Sequence, residues 1–132
     1  MSRVQLAINV ENLDEAIDFY SRIFDAAPAK VRPGYANFAV ADPPLKLVLF
    51  ENQGKGGSIN HLGVEVQTTE EVLATEGRLT RADIATTGID ETQCCYAEKT
   101  EVWVDGPDGI RWEWYVKHAD SDQFENVIIN RS

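Results

Sequence analysis

The stretch VQLAINV, residues 4–10, recurs as NHLGVEV at residues 60–66, and this repeat decides the fold. Both copies alternate apolar and polar residues, as half-buried β-strands do. A helix start follows each copy, with a capping residue three positions before a glutamate. The two pairs are Asn12 with Glu15 and Thr68 with Glu71. The chain is therefore predicted to contain two copies of one module.

Shorter extended segments follow each predicted helix. Residues 35–40 and 45–50 flank a proline-rich turn, and residues 100–104 and 111–116 flank the turn DGPDG. One more short strand is expected in each half. These strands are placed near Lys30 and near Thr86. Each half thus reads as β-α-β-β-β.

The predicted fold class is α+β. Two modules, residues 3–51 and 59–118, are expected to form a single domain, residues 1–118, around one curved, open, barrel-like mixed sheet with the helices outside. Residues 51–58 are interpreted as a flexible link. Residues 119–132 are interpreted as a polar tail that is mobile or adds an edge element.

Composition narrows the class of partner. A net charge of −10 argues against nucleic acid or an anionic membrane surface, since both require a basic footprint. No stretch approaches the roughly 20 apolar residues of a membrane span. Unpaired thiols and the lack of an export signal predict a cytoplasmic location.

The two cysteines of the chain, Cys94 and Cys95, are adjacent. Their Cα atoms are about 3.8 Å apart, which is closer than an ordinary disulfide spans. Two free thiols this close can chelate one soft atom, provided that a loop or irregular backbone turns both to the same side. The alternative is a chance doublet without function.

A metal site is predicted from matching strand positions. Gln5 and His61 occupy equivalent places in the repeat, and Glu113 alternates with Trp112 and Trp114 in the last strand. If the tryptophans pack on the helices, Glu113 joins Gln5 and His61 on the inner face. This set suits Fe(II) with open positions. Alternatively, Glu113 is only solvated and His61 is an ordinary polar residue.

The chain resembles the vicinal oxygen chelate superfamily, which includes glyoxalase I, extradiol dioxygenases and bleomycin-resistance proteins. Within it, the closer resemblance is to ArsI organoarsenical C–As lyases and CadI cadmium-inducible proteins. The segments that carry the resemblance are residues 4–7, 19–20, 30–38, 42–49, 60–65, 94–95 and 106–113.

This resemblance implies that Gln5, His61 and Glu113 are iron ligands and that Cys94 and Cys95 bind arsenic. It implies a non-haem Fe(II)- and O2-dependent enzyme of the dioxygenase type that cleaves the carbon–arsenic bond of trivalent organoarsenicals, such as methylarsenite or reduced aromatic arsenicals, and gives arsenite. Other divalent metals are expected to substitute for iron in the isolated protein, and a homodimer is possible.

Two other functions stay open. One is a non-catalytic, thiol-based protein that binds cadmium or arsenic, and the other is a small-molecule resistance protein or isomerase with incidental cysteines. Alignment of the two modules places Leu47 opposite Glu113. This alignment predicts that a fourth ligand position of the superfamily is apolar here.

Overall fold

The computed structural model describes residues 2–121, 124 and 127–128, with only the backbone of Cys94, Val127 and Ile128. The elements in chain order are β1 (Arg3–Val10), α1 (Leu13–Ile23), β2 (Lys30–Arg32), β3 (Tyr35–Val40), β4 (Leu45–Glu51), β5 (Ile59–Val66), α2 (Thr69–Arg81), β6 (Asp90–Cys94), β7 (Ala97–Asp105), β8 (Arg111–Asp120) and β9 (Val127–Ile128). The α+β class and the order β-α-β-β-β in each half are confirmed.

Contacts divide the chain into two compact units. The first spans Arg3–Leu62, and the second runs from Gly63 onward, so the boundary falls inside β5. In the first unit the strand order is β2-β3-β4-β1, with β1 parallel to β4 and the other pairs antiparallel. In the second unit the order is β5-β8-β7-β6-β9.

Helix α1 forms where the sequence predicted it. The side chain of Asn12 accepts a hydrogen bond from the backbone N–H of Glu15, which caps the helix start. The apolar stripe of the helix packs on one face of the first sheet, against strand residues that include Leu47 and Leu49. Its members are Leu13, Ala16, Ile17, Tyr20 and, at the cap, Phe24.

Helix α2 repeats this arrangement in the second unit. Thr68 caps it by accepting from the N–H of Glu71. Val72 of the helix packs with Val102 and Trp114 of the sheet. The ring of Trp112 lies beside that of Trp114, with 6.0 Å between centroids and 33° between the ring planes. The prediction that the aromatic face of the last strand lies on the helix side is thereby confirmed for Trp114.

The short strand expected near Thr86 is misplaced, because β6 begins at Asp90. Thr86 instead belongs to a turn in which its hydroxyl accepts from the N–H of Gly88, whose φ is +83°. The next residue, Thr87, donates its N–H to the carbonyl of Trp103. A turn stabilised by threonine hydroxyls therefore takes the place of the expected strand.

The segment between β4 and β5 is ordered, contrary to the flexible link that its glycines predicted. The Glu11 carboxylate accepts the N–H groups of Gly54 and Gly56, each at 2.8 Å. These backbone donors lower the pKa of Glu11. Asn9 further exchanges backbone hydrogen bonds with Gly57 and Ser58. The glycines therefore serve a specific turn that folds back onto the end of β1.

Much of the predicted tail lies outside the described residues. Strand β8 extends to Asp120, and Val127–Ile128 pair as β9 with Gln93 and Thr92 of β6. These two residues therefore form the edge element that the sequence left as one alternative. In the part of the chain that the structure describes, neither helix has the length and apolar character to span a membrane.

Candidate functional site

His61 lies near the start of β5 with its ring held on both sides. Its Nδ1 is 2.8 Å from the side-chain oxygen of Asn60, and its Nε2 is 3.1 Å from Nε2 of Gln5. Because an amide oxygen only accepts, Nδ1 carries the proton and Nε2 presents a lone pair. The ring is buried, and Phe50 lies beside it at 6.2 Å between centroids.

Asn60 is itself oriented by a chain of side-chain amides. Its NH2 group donates to Oδ1 of Asn9 at 3.0 Å, and the NH2 group of Asn9 donates to the hydroxyl of Ser58 at 2.9 Å. The amide oxygen of Asn60 is therefore directed at His61. Fixing the tautomer of a histidine from its far nitrogen is what outer partners do in metal sites.

Gln5 shares the inner face of the first sheet, away from α1. It is buried and pairs in register with Lys46 of β4. Leu6 beside it faces α1 with Leu47. The structure therefore brings together two of the three predicted metal ligands, Gln5 and His61.

Leu47 contradicts the prediction made for it. It is only 1% exposed and packs in the core against α1, on the opposite face of the sheet from Gln5. The residues of β4 that face the Gln5 side are Lys46 and Val48. The alignment that set Leu47 opposite Glu113 is therefore wrong, because an error of an odd number of residues exchanges the faces of a strand. Leu47 therefore says nothing about a fourth ligand.

Glu113, the third predicted ligand, belongs to the second unit and is not solvated there. It is 1% exposed, and its Oε2 lies 2.6 Å from Nζ of Lys99. The Lys99 ammonium also lies 5.0 Å from the centre of the Tyr115 ring, whose hydroxyl donates to Glu65. Arg111 of the same strand pairs with exposed Asp105 at 2.8 Å.

A second carboxyl group, Glu101, lies beside this ion pair and is also 1% exposed. Its Oε1 accepts the Thr92 hydroxyl at 2.5 Å, whereas its Oε2 has no hydrogen-bond donor among the described residues. Burial, followed by the neighbouring Glu113, raises the pKa of Glu101 to about 8, and Lys99 and Thr92 oppose this shift.

Sequence reasoning missed Lys99 and Glu101. The predicted strand began at Thr100, whereas β7 begins at Ala97. Glu101 already lay inside the predicted strand, and the earlier start adds Lys99 two positions before it. The two charged residues therefore share the face opposite the core residue Val102. This alternation within a buried strand was the available signal.

The cysteine pair lies at a tight hairpin rather than in a longer loop. Cys94 is the last residue of β6 and pairs in register with Ala97, so Cys95 and Tyr96 form the two-residue turn. Their φ angles are +56° and +66°. Two left-handed residues are typical of a type I′ turn, which usually contains asparagine and glycine. The side chain of Cys94 lies outside the described residues.

Residues after β8 hold this hairpin. The N–H of Cys95 donates to the carbonyl of Phe124, and the N–H of Ser121 donates to the carbonyl of Tyr96, each at 2.9 Å. Tyr96 is buried, with its ring 5.5 Å from that of Phe124. Cys95 is half-buried. Irregular backbone, which a chelating thiol pair requires, is therefore present at Cys95.

The chemistry of the three predicted ligands, Gln5, His61 and Glu113, can be compared with what a metal ion requires. Among the described residues, no group of three or more His, Cys, Asp or Glu side chains is arranged to hold a metal. The predicted set includes a glutamine, however, so only two of its members are of those types. His61 already presents its Nε2 lone pair beside a buried amide, and Glu113 is a buried carboxylate neutralised by a cation. Each of these donors, taken by itself, is of a kind that divalent metals bind.

Comparison with known proteins shows the family to which the chain belongs. A family model described as the Glyoxalase/Bleomycin resistance protein/Dioxygenase superfamily matches residues 3–114. The chain is 60% identical over 124 residues to "Cadmium-induced protein CadI" of Mycobacterium tuberculosis (strain CDC 1551 / Oshkosh), covering 94% of this chain and 82% of that protein. It is 52% identical over 123 residues to a "Trivalent organoarsenical cleaving enzyme" of Thermomonospora curvata, covering 92% and 82%.

Solved structures show the same fold. Methylmalonyl-CoA epimerase from Mycobacterium tuberculosis has a TM-score of 0.63 at 17% identity, covering 86% of each chain. The Mn(II)-bound glyoxalase from Novosphingobium aromaticivorans has a TM-score of 0.62 at 16% identity, covering 93% of this chain and 43% of that one. At such low sequence identities, the similarity establishes the fold. The chemistry has to be argued from the residues of the site.

Proposed function

We propose that this chain, which belongs to the glyoxalase/bleomycin resistance/dioxygenase superfamily, cleaves the carbon–arsenic bond of trivalent organoarsenicals and releases arsenite. The observation that carries the proposal is its 52% identity to a trivalent organoarsenical cleaving enzyme over nearly the whole chain. A second enzyme of that name, from Bacillus sp. (strain MD1), is 39% identical. The adjacent thiols supply the means to bind the arsenic.

Gln5, His61 and Glu113 are the residues proposed to hold Fe(II). When bound, the iron would supply the redox chemistry that uses O2 to break the carbon–arsenic bond. The contribution of His61 is the Nε2 lone pair that Asn60 keeps available. Gln5 would contribute its amide oxygen and Glu113 a carboxylate. A neutral glutamine is a weaker ligand than histidine, which predicts a loosely held metal.

Cys94 and Cys95 are proposed to bind the arsenic of the substrate. Arsenic is thiophilic, and binding drives thiol deprotonation by the linkage known for metals. Attaching the substrate through two thiolates would convert a bimolecular encounter into a positioned reaction. The contacts of Cys95 and Tyr96 with Phe124 and Ser121 hold the backbone of this turn in a conformation that strand geometry alone does not give.

Arsenic speciation tests the proposal. The protein is incubated with methylarsenite and Fe(II), either in air or under nitrogen, and the arsenic products are separated. Arsenite should form in air only. Methylarsenite that stays intact in air with Fe(II) present would contradict the proposed activity.

A second candidate is metal or metalloid sequestration, and one observation favours it. The 60% identity to a protein named as cadmium-induced exceeds the identity to the cleaving enzymes. Sequestration predicts stoichiometric binding of cadmium or arsenic without turnover, even with Fe(II) and O2. A cytoplasmic location and a homodimer stay predictions, which fractionation and sedimentation can test.

A further inference from the structure

We propose that Lys99 is a built-in counter-ion of the metal-free site, which leaves Glu113 and pairs with Glu101 when a divalent metal binds. This inference rests on the proposed role of Glu113 as a metal ligand. It adds two residues, Lys99 and Glu101, that control how strongly the metal is held.

The first step is the position of the Lys99 ammonium. Its Nζ lies 2.6 Å from Oε2 of Glu113, a short, charge-assisted contact between two buried side chains. A carboxylate buried without a cation is strongly unfavourable, so Lys99 takes the place of the metal charge in the metal-free protein. A divalent ion that binds Glu113 must compete with this ammonium.

Glu101 offers the Lys99 ammonium a second carboxylate to which it can move. Oε2 of Glu101 lies 3.9 Å from the same Nζ, which is within an ion pair but beyond a hydrogen bond. Among the described residues, no other group donates to this buried oxygen. Its partner oxygen is held by Thr92, which fixes the carboxyl group with Oε2 available to accept from Lys99.

The Lys99 ammonium also has a path between the two carboxylates. The Lys99 ammonium lies over the Tyr115 ring, and the Tyr115 hydroxyl donates to Glu65 at 3.2 Å. The ring face is attractive to a cation. The ring therefore stabilises the ammonium both next to Glu113 and next to Glu101. Moving from one carboxylate to the other requires only a rotation at the end of the Lys99 side chain.

A titration of free Mn(II), followed by its electron paramagnetic resonance signal, measures affinity without interference from the thiols, because Mn(II) prefers oxygen and nitrogen ligands. Lys99→Met should tighten Mn(II) binding by about tenfold, because the competing cation is removed. Glu101→Gln should weaken it by about tenfold, because Lys99 loses its second partner. Lys117→Met, which removes a surface lysine paired with Asp120, is the matched control and should change nothing.

The double variant Lys99→Met, Glu101→Gln tests whether Glu101 acts through Lys99. If it does, Glu101→Gln should change Mn(II) affinity by less than about threefold once Lys99 is gone. An equal weakening in both backgrounds would overturn the inference. A crystal structure of the unaltered protein with Mn(II) gives an independent readout should a variant fail to fold. Lys99 Nζ should then be within hydrogen-bond distance of Glu101, and an ammonium still on Glu113 would overturn the inference.

Glu113→Gln separates this inference from the proposed function. If Glu113→Gln abolishes Mn(II) binding while Lys99→Met and Glu101→Gln bind like the unaltered protein, the movement of Lys99 is wrong and the metal site stands. If Glu113→Gln binds Mn(II) as the unaltered protein does, the assignment of Glu113 is wrong and the inference falls with it.

Discussion

The side-chain oxygen of Asn60 lies 2.8 Å from Nδ1 of His61, and this contact directs the Nε2 lone pair of the ring towards Gln5. These two adjacent residues of one strand thus have different roles. His61 presents the lone pair, and Asn60 sets the tautomer of its ring. Asn60 itself is exposed, so its side chain contributes to the site without contributing to the core.

Asn60→Leu should weaken Mn(II) or Fe(II) binding by about 10- to 100-fold, the range seen when outer partners of metal ligands are removed. The free energy of unfolding of the metal-free protein should fall by about 1–3 kcal/mol, because buried Asn9 loses a hydrogen-bond donor. Asn60→Asp keeps an acceptor oxygen and should retain most of the affinity. Equal loss in both variants would show that the contact with Nδ1 is not the cause.

Leu47→Glu should destabilise the fold without creating a metal ligand. Leu47 is buried in the apolar core against α1, where an unpaired carboxylate is strongly unfavourable. Even Leu47→Ala should reduce the free energy of unfolding by about 2–5 kcal/mol. Leu73→Glu, at a half-exposed position of α2, is the control for adding the same charge. Thermal melts check the stability, and tighter Mn(II) binding by a folded Leu47→Glu variant would refute the corrected register.

Stability of the metal-free protein should depend on pH through Glu101. The pKa of this carboxyl is raised to about 8 in the folded state, so the folded protein keeps a proton that the unfolded chain releases above about 4.5. The free energy of unfolding should therefore fall as pH rises from about 4.5 to about 8, and this contribution should be constant beyond.

Glu101→Gln should flatten that fall, since a glutamine does not titrate. Denaturant unfolding at several pH values, with a chelator present, measures the slope. Glu70→Gln, at an exposed position in the first turn of α2, should leave the slope as it is. An unchanged slope in Glu101→Gln would mean that other groups cause the pH dependence.

Changing either cysteine to serine should separate the two parts of the site. Cys94→Ser and Cys95→Ser each remove one soft ligand, so the affinity for methylarsenite should fall by at least about tenfold. Mn(II) affinity should be unaffected, because a hard metal ion does not require the thiols. Methylarsenite affinity is measured by calorimetry under nitrogen. Cleavage at the unaltered rate by the double variant would rule out the role assigned to this pair.

The sequence predicted the parts of the site that repeat. Gln5 and His61 lie at equivalent places in two similar strands, and period-two alternation was enough to put both on one face. Leu47 shows the weakness of the same argument, since an alignment error of one residue in a strand reverses its face. The turns that precede β4 and β8 differ in sequence and length, so they gave no common reference point for aligning the two strands.

The contacts around these residues could not be predicted. Asn60 precedes His61 in the chain and would be expected on the opposite face, yet its amide oxygen contacts Nδ1 of the ring. Lys99 and Glu101 are charged residues in a polar stretch, which ordinarily indicates exposure. Their burial depends on the position of β7 inside the sheet, between β8 and β6, which only the folded structure shows.

The number of arsenite molecules released per protein chain tests the central claim most directly. The unaltered protein and Glu113→Gln are incubated side by side with excess methylarsenite, Fe(II) and air, and arsenite is followed over time. The account predicts that the unaltered protein releases more than one arsenite per chain and that Glu113→Gln releases none. Binding of methylarsenite by the unaltered protein, without any release of arsenite, would contradict the account.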